Sequence, residues 1–319
     1  MRTEKETILK ITDLKKTFDK KKKITAVDRV SFQIFQGECF GLVGESGSGK
    51  STLGRMIASL ETADDGTIIF KDRSLAEWKK QEKYRFYRHI QMVYQNPWSV
   101  FSPRMAMEEF LVQGRVNFRL ASRKNALEMV KTDLEQIGLP EEYRYRLPHE
   151  LSGGELQRIV IARALSVNPD VIVFDEATSA LDVSIQRNIM EYLVKIQRER
   201  DFTSLFIGHD IAVVRSVSHR IGIMFQGKLV EIIESEKLVN EHLHPYTASL
   251  LKVSFTLHSR YDEKNGAEEQ PANIWKIPQK GCAYAWRCPY ARDKCRNEEP
   301  KLQEAAKGHW VSCFGRPGS

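Results

Sequence analysis

Long apolar runs are missing from this sequence. Across its 319 residues, no stretch approaches the roughly 18 to 20 apolar residues that cross a bilayer, so we expect no transmembrane helix. The N-terminal segment, MRTEKETILKITDLKK, also lacks the apolar core of a secretory signal peptide. These two absences favour a cytosolic protein, in which disulfide bonds are rare.

Internal repeats and low-complexity tracts are also absent, apart from a lysine run at 20–23. We interpret that run as a solvated turn between two strands, with contact to anionic lipid as the weaker alternative. Hydrophobic residues make up 41% and charged residues 29% of the chain, which argues against a disordered or fibrous protein. The net charge of +7 is spread along the sequence, so it permits a nucleic-acid partner without arguing for one.

Cysteine is scarce over most of the chain. Cys39 stands alone in the first half, and we interpret it as a small core residue. The other cysteines all follow residue 280, and a charged stretch with Pro, Asn and Gln at 261–278 precedes them. This shift predicts a linker and a separate C-terminal module. We therefore divide the chain into a domain at 1–240 and an extension at 241–319.

Short apolar runs alternate with helical patterns in the first domain. Runs rich in Val, Ile and Phe suit strands that are buried on both faces of a parallel sheet. Strands that alternate with helices predict an α/β domain with helices on both faces of the sheet. The predicted strands lie at 38–43, 67–70, 171–174, 204–207 and 221–225, and the clearest predicted helices at 51–60 and 121–137.

The segment at 44–51 reads GESGSGKS and fits the pattern G-x-x-x-x-G-K-[ST] in full. It follows a predicted strand and opens a predicted helix, which is the context that this motif requires. Its glycines let successive backbone N–H groups point at phosphate oxygens, and the helix N-terminus adds its positive dipole. We expect Lys50 to reach the β- and γ-phosphates and Ser51 to ligate Mg²⁺. The motif predicts binding of a nucleoside triphosphate but does not identify the reaction.

Two acidic residues, Asp175 and Glu176, end the apolar strand VIVF. A carboxylate at the C-terminal end of a parallel strand faces the ligand crevice of an open α/β sheet. Asp175 is thus placed to hold Mg²⁺, directly or through water. Glu176 is placed to polarise the water that attacks the phosphate.

Further motifs appear in chain order and point to one family. The segment LSGGE at 151–155 closely resembles the signature sequence of ATP-binding cassette (ABC) ATPases, whose consensus ends in Gln rather than Glu. Gln95 resembles the Q-loop residue, SALD at 179–182 resembles the D-loop, and His209 resembles the switch histidine. Phe18 is placed to serve as the aromatic platform for adenine.

This resemblance implies a P-loop NTPase cassette. Its expected parts are a RecA-like α/β core, an antiparallel β subdomain and a helical signature subdomain at about 96–160, followed by the small cysteine-containing extension. Cassettes of this family pair head to tail, so the signature of one closes over the nucleotide of the other.

The resemblance also implies roles for individual residues. The expected catalytic residues are Glu176, His209, Gln95 and Lys50, and the expected Mg²⁺ ligands are Ser51, Gln95 and Asp175. The expected ATP-binding residues are Phe18, Gly44, Glu45, Ser46, Gly47, Ser48, Gly49, Lys50, Ser51 and Thr52. The residues expected to contact the nucleotide of the partner cassette are Ser152, Gly153, Gly154, Glu155 and Asp182.

Three stretches resemble the ATPases of oligopeptide and dipeptide importers. The stretch QNPWSVFSPRM is similar to their QNP…NPRM, with Ser102 where Asn is usual. The stretch DEATSALDVSIQ is similar to their DEPTSALDVSVQ, with Ala177 in place of Pro. HPYT at 244–247 resembles the motif that opens their C-terminal extension. The resemblance implies an ATPase on the cytoplasmic face of the cell membrane that drives peptide uptake.

The same resemblance implies the partners. They are a second, paralogous cassette, two transmembrane permease subunits and an extracytoplasmic substrate-binding protein, with no nucleic acid. Two alternatives stay open. Closely related cassettes serve importers of nickel, metallophores, glutathione or sugars. Other cassettes act in DNA repair or translation, but those usually carry two cassettes or very large insertions.

The C-terminal cysteines follow the spacing C-x5-C-x6-C-x17-C. This spacing lacks the close pairs that are typical of zinc sites and does not fit the ferredoxin patterns. Four cysteines in a cytosolic tail favour a metal over disulfides, but the spacing alone does not select the metal. The resemblance adds that some peptide-importer cassettes bind a [4Fe–4S] cluster at a similar motif. We therefore expect a cluster, with zinc or unmetallated thiols as alternatives, at Cys282, Cys288, Cys295 and Cys313.

Overall fold

A computed structural model describes residues 6–18, 24–178, 183–200, 202–259 and 280–315. Three of the expectations above lie outside these ranges, namely the turn at 20–23, the D-loop at 179–182 with Asp182, and the linker at 261–278.

The strands of the described residues are β1 (Thr7–Phe18), β2 (Ile24–Phe35), β3 (Cys39–Val43), β4 (Asp65–Phe70), β5 (Arg73–Ser74), β6 (Ile90–Val93), β7 (Val171–Asp175), β8 (Thr203–Gly208), β9 (Arg220–Phe225), β10 (Lys228–Glu234), β11 (Gln303–Ala306) and β12 (His309–Val311). The helices are α1 (Lys50–Ile57), α2 (Leu75–His89), α3 (Met107–Asn117), α4 (Arg123–Gln136), α5 (Gly153–Ser166), α6 (Val183–Arg200), α7 (Ile211–Val217), α8 (Leu238–Glu241), α9 (Pro245–Ser259) and α10 (Asp293–Asn297). Single 3₁₀ turns occur at Pro97–Val100, Glu141–Tyr145 and Pro148–Glu150.

The larger sheet is built on five parallel strands in the order β6-β7-β8-β3-β9. β3 and β7 are buried over their whole length, which explains their continuous apolar runs. Because parallel strands share one direction, their carboxyl ends meet at one edge of the sheet. Four of these ends lead into the phosphate loop, Gln95, the Asp175–Glu176 pair and His209. The predicted α/β class is confirmed.

The smaller sheet is antiparallel, with strand order β2-β1-β4-β5. Buried and exposed positions alternate along much of β1 and β2, as expected for strands with one face on a core. Leu9, Ile11 and Ile34 are buried in one apolar cluster with Phe40 of β3 and Leu53 of α1. This shared core fixes the small sheet against the strand and helix that flank the phosphate loop.

A helical region stands between β6 and β7 and contains α3, α4 and the start of α5. The hydroxyl of Ser122 caps α4 by accepting the N–H of Asn125, so the helix begins close to its predicted start. Inside the region, the guanidinium of Arg115 donates to both oxygens of the buried Asp133 carboxylate. A buried carboxylate needs such a partner. The limits of the helical subdomain at about 96–160 stay a prediction.

Helix α1 begins at Lys50 and ends at Ile57, whereas the sequence pattern extends the helix to residue 60. The difference has a local cause, because Ser59 adopts φ 58°. A left-handed residue cannot continue a right-handed helix. A membrane span needs ~20 apolar residues in one helix. None of the helices in the described ranges meets that requirement.

The C-terminal extension joins the larger sheet. Strand β12 pairs with β10 through Glu231 opposite Val311, and β10 pairs with β9, so the final hairpin lengthens the sheet of the cassette. The Glu231 carboxylate is fully buried and accepts hydrogen bonds from Thr247 in α9 and His309 in β12. The division of the chain at residue 240 stays a prediction. The sheet and the buried network tie both sides of that boundary together.

Candidate functional site

The phosphate loop occupies residues 44–49, between buried strand β3 and helix α1. Two of its glycines pack so tightly that no other residue fits. A Cβ on Gly44 would lie 2.0 Å from the Met224 carbonyl oxygen, and a Cβ on Gly49 would lie 1.9 Å from that of Ala26. Gly49 also adopts φ 100°, which favours glycine. The sequence therefore forces a tight turn that presents the N-terminus of α1 to a ligand.

Lys50 is 3% exposed and points back into the loop. Its Nζ donates to the carbonyl oxygens of Gly44 and Glu45, both at 2.8 Å, and to the Ser48 hydroxyl at 3.2 Å. Burial lowers the pKa of Lys50, while the nearby carboxylates of Glu176, Asp175 and Glu45 act in the opposite direction. The loop carbonyls and the Ser48 hydroxyl thus hold the buried ammonium group inside the turn.

Ser51 and Asp175 meet across the crevice. The Ser51 hydroxyl donates a 2.7 Å hydrogen bond to Oδ1 of Asp175, which is 4% exposed. Burial raises the pKa of Asp175, and the neighbouring Glu176 adds to the rise. The hydrogen bond from Ser51 and the positive charges of Arg55 and Lys50 oppose it. A hydroxyl and a carboxylate are hard oxygen donors, so this donor set fits Mg²⁺.

Glu176 brings two further strand ends together. The Nε2 group of Gln95, after β6, donates to the Glu176 carboxylate at 3.0 Å, and Nδ1 of His209, after β8, lies 3.5 Å from the same oxygen. Glu176 has φ 49°, and its N–H donates to the Ile207 carbonyl at 3.0 Å. The positive φ ends the extended backbone of β7 at Asp175. Gln95, Glu176 and His209 therefore form one cluster.

Other predicted nucleotide contacts lie around this edge. Ser46 and Gly47 at the tip of the loop are exposed, and Thr52 is half-buried in α1. Phe18 ends β1 with 40% of its surface exposed, and Nζ of Lys16 stands 5.3 Å from its ring centroid. The ring of Phe18 is thus accessible for stacking. Its role toward adenine stays a prediction.

The signature residues form the start of α5. Ser152 caps the helix, and Oε2 of Glu155 accepts the Ser152 N–H at 2.7 Å and its hydroxyl at 2.8 Å. The Tyr143 hydroxyl donates to the other Glu155 oxygen at 2.7 Å. Such a capping box works with Glu or Gln, so the departure from the family consensus preserves the local structure. Ser152 is exposed, Gly154 is buried, and a Cβ on Gly153 would meet no described atom within 4 Å.

The four C-terminal cysteines line one cavity of ≈ 20 Å³, together with Tyr284 and other residues. Burial raises the pKa of the Cys282 thiol to about 11, and it also raises the pKa values of Cys288 and Cys313. Nearby thiols add to each of these rises. Within the described ranges, however, no three His, Cys, Asp or Glu side chains are grouped so that they could hold a metal ion.

Sequence reasoning missed two residues that contact the phosphate loop. The Tyr246 hydroxyl accepts the N–H of Glu45 at 2.9 Å, and Arg287 donates to the Glu45 carboxylate at 2.9 Å. Tyr246 belongs to the HPYT motif, which in the sequence indicates only the family. Arg287 lies among the cysteines, and no local pattern links it to a loop that is 242 positions away.

Comparison with known families gives two matches. Residues 27–179 match the family described as ABC transporter. Residues 230–295 match the family described as oligopeptide/dipeptide transporter, C-terminal region. The second match covers HPYT and three of the four C-terminal cysteines.

Curated relatives are similar over nearly the whole chain. A putative oligopeptide transport ATP-binding protein of Bacillus subtilis, YkfD, is 41% identical over 315 residues, which cover 96% of this chain and 94% of the relative. The oligopeptide transport ATP-binding protein AppF of the same organism is 38% identical, with 97% of each chain covered. A putative peptide import ATP-binding protein of Brucella abortus is 40% identical over 90% of this chain and 91% of its own length.

Solved structures agree with the fold. The ATP-binding cassette MJ0796, solved as a dimer in a post-hydrolysis state with ADP and Pi, matches with a TM-score of 0.65 and 29% identity over 71% of this chain and 98% of that chain. CbiO1 from Clostridium perfringens matches with a TM-score of 0.66 over 80% of this chain and 97% of its own, and at 23% identity it supports the fold alone. The predicted cassette fold is confirmed, and the chain belongs to the ATP-binding proteins of ABC transporters, in the oligopeptide/dipeptide family.

Proposed function

We propose that this chain hydrolyses ATP to drive the uptake of oligopeptides or dipeptides. One observation carries the hydrolytic part, namely that Lys50, the Ser51–Asp175 pair and Glu176 converge at one edge of the parallel sheet. The peptide cargo is supported by the similarity to oligopeptide transport proteins and to the oligopeptide/dipeptide C-terminal region.

Lys50 and the loop bind the phosphates. The Lys50 ammonium group donates to two loop carbonyls at 2.8 Å and would exchange these acceptors for β- and γ-phosphate oxygens. Three acidic neighbours favour its charged form against the effect of burial. The backbone N–H groups of Ser46, Gly47 and Gly49 and the start of α1 supply further donors. Phe18 contributes an exposed ring for adenine.

Ser51 and Asp175 would hold Mg²⁺, with Gln95 as a third ligand. The hydroxyl and the carboxylate are already within 2.7 Å of each other, so little rearrangement is needed for both to face one ion. A bound Mg²⁺ would neutralise the charge that develops on the phosphate oxygens during hydrolysis.

Glu176 acts as the general base. Its carboxylate takes a proton from water while the water oxygen bonds to the γ-phosphorus and the bond to the β–γ bridging oxygen breaks. Gln95 at 3.0 Å and His209 at 3.5 Å hold and orient this carboxylate. Glu176 adopts a positive φ, so the extended backbone of β7 ends at Asp175.

The ATP site is completed by a second cassette, which we propose to be a paralogous chain. Ser152, Gly153, Gly154 and Glu155 would then contact the nucleotide of the partner, together with Asp182, which lies outside the described residues. The exposed Ser152 hydroxyl and the N-terminus of the 14-residue helix α5 are suitable donors to a γ-phosphate. The proposal is supported by MJ0796, a related cassette that was solved as a dimer.

The complex works at a membrane. We place the chain on the cytoplasmic face, docked on two permease subunits that supply the membrane-spanning helices, with a binding protein outside delivering the peptide. The half-exposed loop that follows Gln95, with Trp98 at 47% exposure, offers a surface for this docking. Closure of two cassettes on ATP would thereby be transmitted to the permease.

We also propose that the four C-terminal cysteines hold a [4Fe–4S] cluster. In support, all four side chains border one small cavity. Their thiol chemistry suits iron–sulfur ligation, although the side chains need to move inward to act as ligands. A bound cluster would cross-link the segments around Cys282 and Cys313 and stabilise the extension, outside the hydrolytic step.

Peptide uptake tests the proposed function. In cells that lack this chain, we expect uptake of a labelled peptide to fall, and to return with the wild-type chain but not with Glu176→Gln. The tagged wild-type chain should also co-purify from membranes with two permease subunits and a second cassette. If peptide uptake stays normal without the chain while the chain still co-purifies with a permease, the transporter carries a cargo other than peptides. Absence from any membrane complex would contradict the transport role itself.

A further inference from the structure

Glu45, the second residue of the phosphate loop, is held by three separate parts of the chain. Its N–H donates to the Tyr246 hydroxyl at 2.9 Å, and its carbonyl accepts from Nζ of Lys50 at 2.8 Å. Its carboxylate accepts from Nη1 of Arg287 at 2.9 and 3.1 Å. Two of these three contacts come from the C-terminal extension. The extension therefore touches the same residue that positions Lys50.

Packing holds Tyr246 in place. The Tyr246 ring is fully buried and lies 4.5 Å from the ring of Phe225 in β9 and 5.3 Å from that of Tyr284 in the extension, centroid to centroid. Burial raises the pKa of Tyr246, so the hydroxyl that accepts the Glu45 N–H stays neutral. This aromatic cluster forms a rigid support behind the first turn of the phosphate loop.

Arg287 extends from the segment between Cys282 and Cys288. Its guanidinium carbon lies 5.7 Å from the centroid of the Tyr284 ring and 5.9 Å from that of Phe225. The aromatic cluster that supports Tyr246 thus also guides the arginine toward Glu45. Arg287 therefore links the cysteine-bearing segment to the phosphate loop.

We propose that Arg287 and Tyr246 are positioning residues of the ATP site, through which the cysteine-bearing extension sets the affinity for ATP. Tyr246 fixes the backbone of Glu45, and Arg287 neutralises the Glu45 carboxylate beside the bound phosphates. This inference rests on the proposed role of the motif at 44–51 in ATP binding.

Electrostatics explains why Arg287 is needed. Glu45 contacts Lys50 directly, because its carbonyl accepts from Nζ at 2.8 Å, so its carboxylate lies beside the proposed phosphate site. An unneutralised carboxylate there would repel the polyphosphate. Because the Arg287 and Glu45 side chains are 37% and 43% exposed, solvent screens the effect, and its size must be modest and dependent on salt.

Equilibrium binding of a fluorescent ATP analogue to the full chain tests this inference. Arg287→Ala should raise the Kd for the analogue by about two- to fivefold at low salt, and by less at high salt. The KM for ATP should rise in parallel while kcat stays near the wild-type value. Arg287→Lys, which keeps the charge, should restore most of the affinity. Arg296→Ala, in the same extension but paired with Asp293, is the matched control and should bind like the wild type.

A second variant separates the charge effect from a folding defect. If Arg287 acts by neutralising Glu45, the double variant Arg287→Ala/Glu45→Gln should regain the affinity that Arg287→Ala loses. Wild-type affinity in Arg287→Ala at low salt, or a double variant as weak as the single one, would overturn the proposal. An error in the assignment of the ATP site itself would give a different result, because Lys50→Ala would then bind nucleotide as well as the wild type does.

Discussion

The Ser51 hydroxyl donates a 2.7 Å hydrogen bond to the Asp175 carboxylate, although 124 positions separate the two residues in the chain. They meet because β3 and β7 run parallel in one sheet and end at the same edge, with β8 between them. Ser51 lies in the first turn of the helix after the phosphate loop, and Asp175 ends the buried strand β7. The pair joins the two strongest motifs of the sequence into one candidate Mg²⁺ site.

Replacement of Ser51 tests that site. Ser51→Ala removes the hydroxyl ligand and leaves Asp175 without its hydrogen-bond donor. We expect the Mg²⁺ concentration that gives half-maximal ATPase activity to rise by at least an order of magnitude. Nucleotide binding in EDTA, measured by fluorescence, is the internal control and should change little. An unchanged Mg²⁺ requirement would remove Ser51 from the ligand set.

Glu231 links the extension to the cassette, and its removal should destabilise both. Its carboxylate accepts hydrogen bonds from His309 at 2.7 Å, from Thr247 at 2.5 Å and from the backbone N–H of Leu243 at 2.6 Å. Glu231→Gln should lower the free energy of unfolding at pH 7 by about 2 to 4 kcal/mol, because it leaves buried donors facing an amide. Urea unfolding measures the change. The matched control is Glu234→Gln on the same strand, where the carboxylate is exposed.

The same carboxylate predicts an acid-sensitive fold. Burial alone would raise the pKa of Glu231, but the hydrogen bonds from His309, Thr247 and the backbone outweigh it and lower the pKa. A group with a lowered native pKa stabilises the fold above its unfolded pKa of about 4.3, and that contribution is lost as pH falls through the native pKa. The stability gap between wild type and Glu231→Gln should therefore narrow below about pH 4. A gap that stays constant down to acid pH would contradict this.

Iron content tests the proposed cluster. Chain purified without oxygen should be brown, with iron and inorganic sulfide bound and visible absorption from thiolate–iron charge transfer. Cys295→Ser should lose the iron, because Cys295 is a buried member of the group of four. Cys39→Ala, at a buried cysteine outside that cavity, should keep it. A colourless, iron-free wild-type chain would contradict the cluster and leave zinc or unmetallated thiols as the alternatives for the four cysteines.

Local chemistry made much of the site predictable. The phosphate loop could be identified because Gly44 and Gly49 occupy places where a Cβ would collide with backbone, so the sequence has no freedom there. The Asp175–Glu176 pair follows a fully buried strand, whose apolar run is easily recognised. The parallel order of the strands then brings these motifs together.

Long-range packing of the extension was not predictable. The strand at His309–Val311 is short and mixed in character, and only its pairing with β10 shows that it lengthens the main sheet. Arg287 contacts Glu45 through tertiary structure alone, and no spacing or pattern in the sequence predicts the contact. A boundary drawn from composition at residue 240 likewise could not reveal that Glu231 is buried against His309.

The most direct test is ATP turnover by Glu176→Gln beside the wild-type chain, with ATP binding measured on both. The amide keeps the shape of Glu176 but cannot take a proton from water, so kcat should fall by at least about 100-fold while the Kd for ATP stays close to that of the wild type. Lys50→Ala, by contrast, should lose binding and turnover together. Hydrolysis by Glu176→Gln at the wild-type rate would show that Glu176 is not the general base.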